Sequence, residues 1–566
     1  MNATPAVIPV ARTATGPTAR RRALPRPTAG PLLAFLVVFA ATFAFGVWMA
    51  NRGFRWNDAM ARAANALSMV HGADPKLANV GFVWPPLPTV LDTLGGLFYP
   101  VWPTVVSNGI SAAFTSALCG GATAALLVMT ARRLGLPNGL GWAFALLVAA
   151  NPMVFLYSSN GMSEGVAAPF LVGAVCCLTL FWHTGQRMWI AASGAALAFA
   201  VLTEYQGVAY GAAVFVALAA ALLWSREVRV SAPQGRGRAI EGLGLLLLVP
   251  PVFAGCLWLA ANAVIMGDPL DFIYGDYGYK SFQEVVSALP PGGNQVIVTG
   301  DVVGALVMVG ERVWPFFIPL AFILAARLLD RRLLRIDSLS LTLIGLSVPL
   351  GMVVPMAVLG SSMGFLRYLI NPLFVAAGWG LWEISRSRRR RTVAALVLAG
   401  WVAAFPASLW IMSDKRLGLE ERTEVKALLR GGTGTDSVVV RAPVARYLAS
   451  DVLPSGRRVL FDSVAGGSLV AIQIPPEHAG QLILTSDRRF KRALRDPRGY
   501  GIGYFLMPDP AAAPTAAIGR AYPRLWNGGQ PGFRLMKTFT TPLEKWRVYA
   551  VLGRVRHAPR TTGGRG

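Results

Sequence analysis

Charge is scarce in this chain. Charged residues make up 14% of it, against roughly 25% in ordinary soluble domains. With 54% hydrophobic residues and a mean hydropathy of +0.50, that shortage excludes a soluble globular protein. Cysteine is nearly missing as well. The four, Cys119, Cys176, Cys177 and Cys256, all fall in apolar segments and form no Cys-x-x-Cys pair. This gives no support to a zinc site or a disulfide framework, and they read as small buried hydrophobes. "VWMA", which ends the first apolar run, lacks the small residues of a cleavage site, so that run reads as an uncleaved anchor. "GTGT" at 432–435 precedes a strand-like stretch instead of following one, which excludes a phosphate loop. No internal repeat is evident, and this tells against a transporter built from inverted halves.

What the chain does have is arginine and long apolar runs. The formal net charge is +25, but the basic residues are scattered between hydrophobic segments. They mark cytoplasmic loops and lipid headgroups, not nucleic acid. Apolar runs near 31–50, 105–130, 139–157, 164–182, 188–203, 206–224, 243–266, 313–329, 338–359, 365–384 and 392–412 predict an α-helical polytopic membrane protein with about eleven transmembrane helices. Residues 302–312 either extend the eighth run or lie in the interface before it. With the N-terminus inside, twenty-one basic residues lie on the cytoplasmic side and seven in the outer loops. The positive-inside rule then puts the N-terminus in the cytoplasm and the C-terminus outside.

Three parts follow: a disordered basic N-terminus over 1–30, a membrane domain over 31–412, and an extracytoplasmic α/β domain over 413–566. In the last part, "SVVVR" (437–441), "RRVLF" (457–461), "QLILTS" (481–486) and "GIGYFLM" (501–507) predict strands. Helices are expected at 419–430, 443–450, 487–495 and 511–520.

The ionisable residues in and beside the spans gather at one depth. Asp58 lies in the first outer loop, in "GFRWNDAMARAANAL". Glu164 begins the fourth span, Glu204 sits in the turn between the fifth and sixth, Glu311 and Arg312 lie at the mouth of the eighth, and Arg367 begins the tenth. Buried ionisable groups in a membrane are costly and mark function. A ring at the outer leaflet suits transfer onto a hydroxyl. A carboxylate serves as general base, arginine recognises phosphate bidentately, and a second carboxylate holds the acceptor or a divalent ion.

Asp58, "WPPLPTVL" (84–91), "NPMVFLYSSNGMSEG" (151–165) and "RYLINPLF" (367–374), in this order and on one side, resemble the GT-C superfamily of membrane glycosyltransferases. Protein O-mannosyltransferases and lipid A aminoarabinose transferases belong to it. The resemblance covers about 31–412. It implies an inverting transferase in the cytoplasmic membrane, taking sugar from a polyprenyl phosphate donor on the outer face. Asp58 matches the base, Glu164 the second acid and Arg367 a phosphate contact. Two departures stand out: Asp58 follows Asn57, where many relatives carry a second acid, and Glu204 stands where many carry a basic residue.

Asp58 and Glu164 are therefore the expected catalytic pair. Arg367, Tyr368, Glu204, Arg312, Trp84, Pro85 and Pro86 are the expected substrate contacts. Asp58, Glu164 and His71, the one histidine of the outer loops between spans, are candidate ligands for a divalent metal ion. Plainer roles compete with these. Asn57 and Asp58 suit a helix start, Glu164 a cap, Glu204 a partner for an arginine, Glu311 and Arg312 an interfacial pair, Arg367 a snorkelling residue, and Trp84-Pro85-Pro86 a stiff loop. Tyr274, Tyr277 and Tyr279 suit either an interfacial belt or a sugar platform. The expected partners are a lipid-linked donor, a glycan, lipid or protein acceptor, and membrane lipids. The rival functions are a flippase for lipid-linked sugars and a polymerase or ligase of whole glycans.

Overall fold

A computed structural model describes residues 29–224, 235–275, 278–281, 283, 298–362, 364–434, 437–541 and 544–552. The N-terminus up to residue 28 and Tyr277 lie outside the described residues. The bundle is built from α1 (Ala29–Asn51), α4 (Ile110–Arg133), α5 (Asn138–Ala150), α6 (Ser163–Thr184), α7 (Met188–Thr203), α8 (Gln206–Trp224), α9 (Arg236–Met266), α10 (Val302–Leu329), α11 (Ile336–Val348), α12 (Asn371–Arg386) and α13 (Arg390–Ser413). Between α1 and α4 lie two shorter helices, α2 (Asn57–His71) and α3 (Leu87–Gly96).

Eight helical segments among the described residues are long and apolar enough to cross a bilayer. Helices α5, α7 and α12 have 13, 16 and 16 residues, short of the ~20 that a full crossing requires. Residues 302–312 extend the eighth run, since α10 is continuous over 28 residues and starts where Asp301 caps it by accepting from the Gly304 amide at 2.8 Å. Large apolar side chains such as Leu245, Val249, Phe253 and Val264 on α9 remain exposed and form the lipid-facing surface. Cys256 lies on this exposed face, unlike the other three cysteines, which are buried.

Close approach in the bundle depends on small residues. Gly165, in the first turn of α6, has the Tyr157 carbonyl oxygen where a Cβ would stand. This contact holds the start of α6, and with it Glu164, against the end of the short helix Pro152–Tyr157.

The shared depth expected of the ionisable residues holds only in part. Arg327 and Glu383 are fully buried and paired at 2.8 Å, with Asp337 on the same guanidinium at 2.5 Å. On α12, Glu383 lies twelve residues beyond Asn371, which is ~18 Å along the helix at 1.5 Å per residue. A second ionic cluster therefore closes the end of the bundle away from Arg367. The sequence reading overlooked it because Glu383 sits one residue inside the predicted end of its span.

The C-terminal part starts with α14 (Glu421–Leu429) and α15 (Ser437–Tyr447). Its sheet comprises β1 (Arg458–Phe461), β2 (Leu482–Ile483), β3 (Ile502–Pro508), β4 (Phe533–Thr540) and β5 (Lys545–Val551), in the order β2-β1-β3-β5-β4. The first three strands are parallel, and β5 pairs antiparallel with both β3 and β4. "SVVVR" is the start of a helix and not a strand. Val438, Arg441, Val444 and Ala445 are its buried positions, and their three- and four-residue spacing overrides the β-branched preference. The helix expected at 511–520 shrinks to Ala517–Ala521, because Pro514 interrupts it. The β4–β5 hairpin was not foreseen, since β4 is mostly exposed on both faces and lacks a period-two signal.

Helix α2 joins the two parts. Met60, Ala63, Ala64 and Leu67 share one apolar cluster with Val105, Val106 and Ile110 of the bundle side and with Leu469, Ile472 and Ala479 of the C-terminal part. The alanine-rich stretch lets a helix be buried on two sides at once. The Tyr99 hydroxyl donates to the Ile474 carbonyl, and the Gly434 amide donates to the Arg52 carbonyl at 2.9 Å. Gly165→Ala is expected to destabilise the protein by about 1–3 kcal/mol through overpacking, seen as a lower thermal midpoint in detergent. Gly139→Ala, with nothing within 4 Å of the added carbon, should leave the midpoint unchanged.

Candidate active site

The chain reverses between α1 and α2 at Gly53, whose φ is 82°. Asp58 therefore enters the first turn of α2, where a negative charge is favoured by the helix dipole. Opposite it lies the 3₁₀ turn Leu366–Leu369. Gly364 approaches this turn at φ 71°, and a Cβ there would come within 3.1 Å of Arg312 Nε. Only glycine passes this position without strain.

Arg367 is the centre of the site. Its Nη1 donates to Asp58 Oδ2 at 3.0 Å, while its Nε lies 3.1 Å from Glu420 Oε2 and 3.6 Å from Glu164 Oε1. Neither of the two contacts at Nε is aligned as a hydrogen bond. The Phe365 and Tyr368 rings each lie 5.1 Å from the guanidinium carbon, a cation–π arrangement that suits a desolvated arginine. Asp58 keeps 33% of its side chain exposed, whereas Glu164 keeps 2%. Of these two, Asp58 is thus the acid that a substrate can reach.

Burial by itself would raise the Asp58 carboxyl. The Arg367 guanidinium, with Arg62 behind it, outweighs that effect and holds the group below the usual aspartate value of 3.8. Burial pushes Glu420 the other way, up to about 8. Arg367 opposes this rise, and Glu421, Asp58 and Glu164 add to it.

A second group stands behind the first. Arg62 lies one turn after Asp58 and is 1% exposed. Its Nη2 donates to Ser163 Oγ at 3.0 Å, and its guanidinium carbon lies 5.5 Å from the Trp84 ring. Its Nε and Nη1 have no hydrogen-bond partner. Glu204 is buried, accepts from the Gln206 amide, and keeps Oε1 without a partner. Both Asp92 oxygens are also unpartnered. Burial pushes that carboxyl up to about 7, with Thr115 and Arg62 opposing.

The structure brings together Asp58, Glu164, Arg367 and Tyr368, with Glu204 and Trp84 in the layer behind. Arg312 is fully buried beside Gly364. It donates to the Met308 and Arg416 carbonyls at 3.1 and 3.4 Å, and among the described residues no carboxylate lies within 4.0 Å of it. Glu311 pairs with Arg416 at 3.1 Å and not with its neighbour Arg312. Pro85 and Pro86 lead into α3 and offer the site no donor. His71 stands at the far end of α2, about 20 Å from Asp58 at 1.5 Å per residue. Its ring nitrogen meets the Gly96 carbonyl at 3.0 Å. Tyr274 is exposed under Lys280, and the Tyr279 hydroxyl meets Ser361.

A divalent ion does not fit the suggested ligands. Asp58 and Glu164 converge on a guanidinium, His71 is remote, and among the described residues no three His, Cys, Asp or Glu side chains form a metal-holding group. Arg62, Glu420 and Glu421 escaped the sequence reading. Arg62 was visible as the residue four beyond Asp58, a same-face spacing on a helix. The acids of "LGLEER" follow the last span directly.

Residues 104–253 match the family described as dolichyl-phosphate-mannose-protein mannosyltransferase. No curated protein matches the sequence. The chain is similar to the solved structure of ArnT from Cupriavidus metallidurans bound to undecaprenyl phosphate. The TM-score is 0.52 at 13% identity, over 92% of this chain and 98% of that one. Part of the chain thus matches a glycosyltransferase family model, and the chain shares the fold of the ArnT structure, as the resemblance to the GT-C superfamily implies. A fainter likeness is to the apo oligosaccharyltransferase of Archaeoglobus fulgidus, at a TM-score of 0.43 and 12% identity, over 85% of this chain and 70% of that one.

The Asp58 carboxylate stays ionised because Arg367 is beside it. Replacing Arg367 with Gln removes the opposing charge and leaves the burial that raises the group. The acid limb of kcat/KM for transfer should therefore move to higher pH in R367Q. A pH profile with an unshifted limb would contradict this coupling.

Proposed function

We propose that the enzyme moves a sugar, with inversion, from a polyprenyl-phosphate-linked donor to a hydroxyl acceptor on the extracytoplasmic face of the membrane. The observation that carries the reading is the meeting of a reachable aspartate with a buried arginine, drawn from opposite ends of the membrane domain. The lipid class is suggested by the undecaprenyl phosphate named for the similar ArnT structure. The side of the membrane follows from the excess of basic residues on the predicted cytoplasmic segments. On this reading residues 31–412 form the membrane domain and 413–566 an extracytoplasmic domain.

Asp58 takes the proton from the acceptor hydroxyl. The oxygen attacks the anomeric carbon from the side away from the phosphate, and the carbon–oxygen bond to phosphate breaks. The electron pair leaves with the polyprenyl phosphate, whose charge grows by one. Fixed cations at the place where charge develops lower the barrier. Arg312, with Nε unpartnered, and Arg367 supply them. Arg367 becomes available when the donor phosphate takes the place of Glu420, the partner held without an aligned hydrogen bond. Glu164 keeps Arg367 in position, and Tyr368 covers its face.

Asp58→Asn should reduce transfer by about 10²–10⁴-fold while the protein still binds a polyprenyl phosphate. Retained transfer would remove Asp58 as the base, and a flippase would keep moving its lipid. A second expectation concerns Glu420, which is protonated below about 8 and ionised above it. Once ionised, it competes with phosphate for Arg367. The affinity for a sugar phosphodiester donor, which does not itself titrate there, should fall as pH rises through about 8. In Glu420→Gln this fall should disappear, and an equal fall in both proteins would exclude the competition.

A further inference from the structure

Outside the Arg367 cluster, one cleft lies between α2 and the C-terminal sheet. Its polar lining is Asn65 of α2, Asp271, and Ser463, Thr485 and Ser486 of the C-terminal part, with Trp84 as an aromatic wall.

Three observations give this cleft a purpose. First, Ser463 follows β1, while Thr485 and Ser486 follow β2, so all three stand at the carboxyl ends of parallel strands. The strand order β2-β1-β3 places β1 between strands on either side. In open α/β sheets, ligands bind at the carboxyl edge beside such a reversal. Second, Ser486 Oγ is buried without a hydrogen-bond partner, next to the paired hydroxyls of Ser463 and Thr485. A buried hydroxyl left without a partner is costly and is satisfied by a polar ligand. Third, Asp58, Ala61 and Asn65 are spaced three and four residues apart, which puts them on one face of α2. Ala61 and Asn65 both line the cleft, and Asn65 lies ~10 Å along the axis from Asp58. A short oligosaccharide spans that distance.

We propose that this cleft is an acceptor subsite for a neutral glycan chain, whose terminal hydroxyl reaches Asp58. The proposal rests on the transferase reading above and adds the substrate class. The chemistry of the lining selects the class. Hydroxyls, an amide and an aromatic face suit a polyhydroxylated ring. Among the described lining residues the one charged group is Asp271, an acid already matched by Lys491 at 3.7 Å, and none is a cation that would select a uronate or a phosphorylated chain. The C-terminal part thus grips the acceptor, while the membrane domain holds the donor.

The test uses the full-length protein in membranes loaded with radiolabelled lipid-linked donor. The acceptors offered are neutral polysaccharide, acidic polysaccharide, lipid and protein fractions from the envelope of a strain lacking the gene. Label is expected in the neutral polysaccharide, and label in any other fraction alone overturns the proposal. Ser486→Phe, which fills the cleft, should raise the half-saturating amount of that fraction about tenfold with kcat changed less than about twofold, a loss of uniform binding. Should that variant fail to fold, Asn65→Ala combined with Ser486→Ala gives the same reading, and unchanged half-saturation in it overturns the subsite. D58N separates the two levels. If it stops transfer while the cleft variants change nothing, the subsite is wrong and the transferase reading stands. If the cleft variants act while D58N transfers normally, the base assignment is wrong.

Discussion

A single guanidinium, held where several carboxylates converge in a low-dielectric setting, is the constraint on which the site depends. Arg367 faces Asp58, Glu164 and Glu420, three acids from the helix packed between the two parts, a membrane helix and the segment that leaves the last membrane helix. Each is a liability without the arginine, because buried like charges repel and burial disfavours ionisation. With it, one acid is kept charged and reachable, one is locked as support, and one is left easily neutralised. The Phe365 and Tyr368 rings flank the guanidinium at 5.1 Å each and cover its faces.

The second constraint is the shape of α2. It carries Asp58 at its start, Arg62 a turn later and Asn65 a turn beyond that, while its alanines pack into both the bundle and the C-terminal part. A helix of bulky residues could not be covered on both sides so closely. The apolar packing that fixes the helix is thus also what aims the base.

Much of this was legible in the sequence, for physical reasons. Apolar runs must be helices in lipid, so the order of the bundle could be read directly, while residues 302–312 stayed open between an extension of the eighth run and an interfacial stretch until α10 showed the extension. Asp58, Glu164 and Arg367 stood out because charge is expensive beside hydrocarbon. Arg312 stood out for the same reason, but its contacts with the Met308 and Arg416 carbonyls are a tertiary fact. Glu420 was hidden because an acid in a polar segment costs nothing until the fold buries it. The Arg327–Glu383 pair shows the limit of reasoning from depth alone, since a buried ion pair can also serve only to join helices. In the C-terminal part, three consecutive valines argued for a strand and the buried face of α15 argued for a helix. Tertiary burial decided.

The partners of Arg367 are also far apart in time. Asp58 and Arg367 are separated by 309 residues, and Glu420 follows only after the last membrane helix has been made. A ribosome therefore delivers the aspartate early, the arginine late and the third acid later still. Until then the half-built bundle carries unmatched charge facing lipid or water. An unfinished or prematurely released chain thus has no working centre.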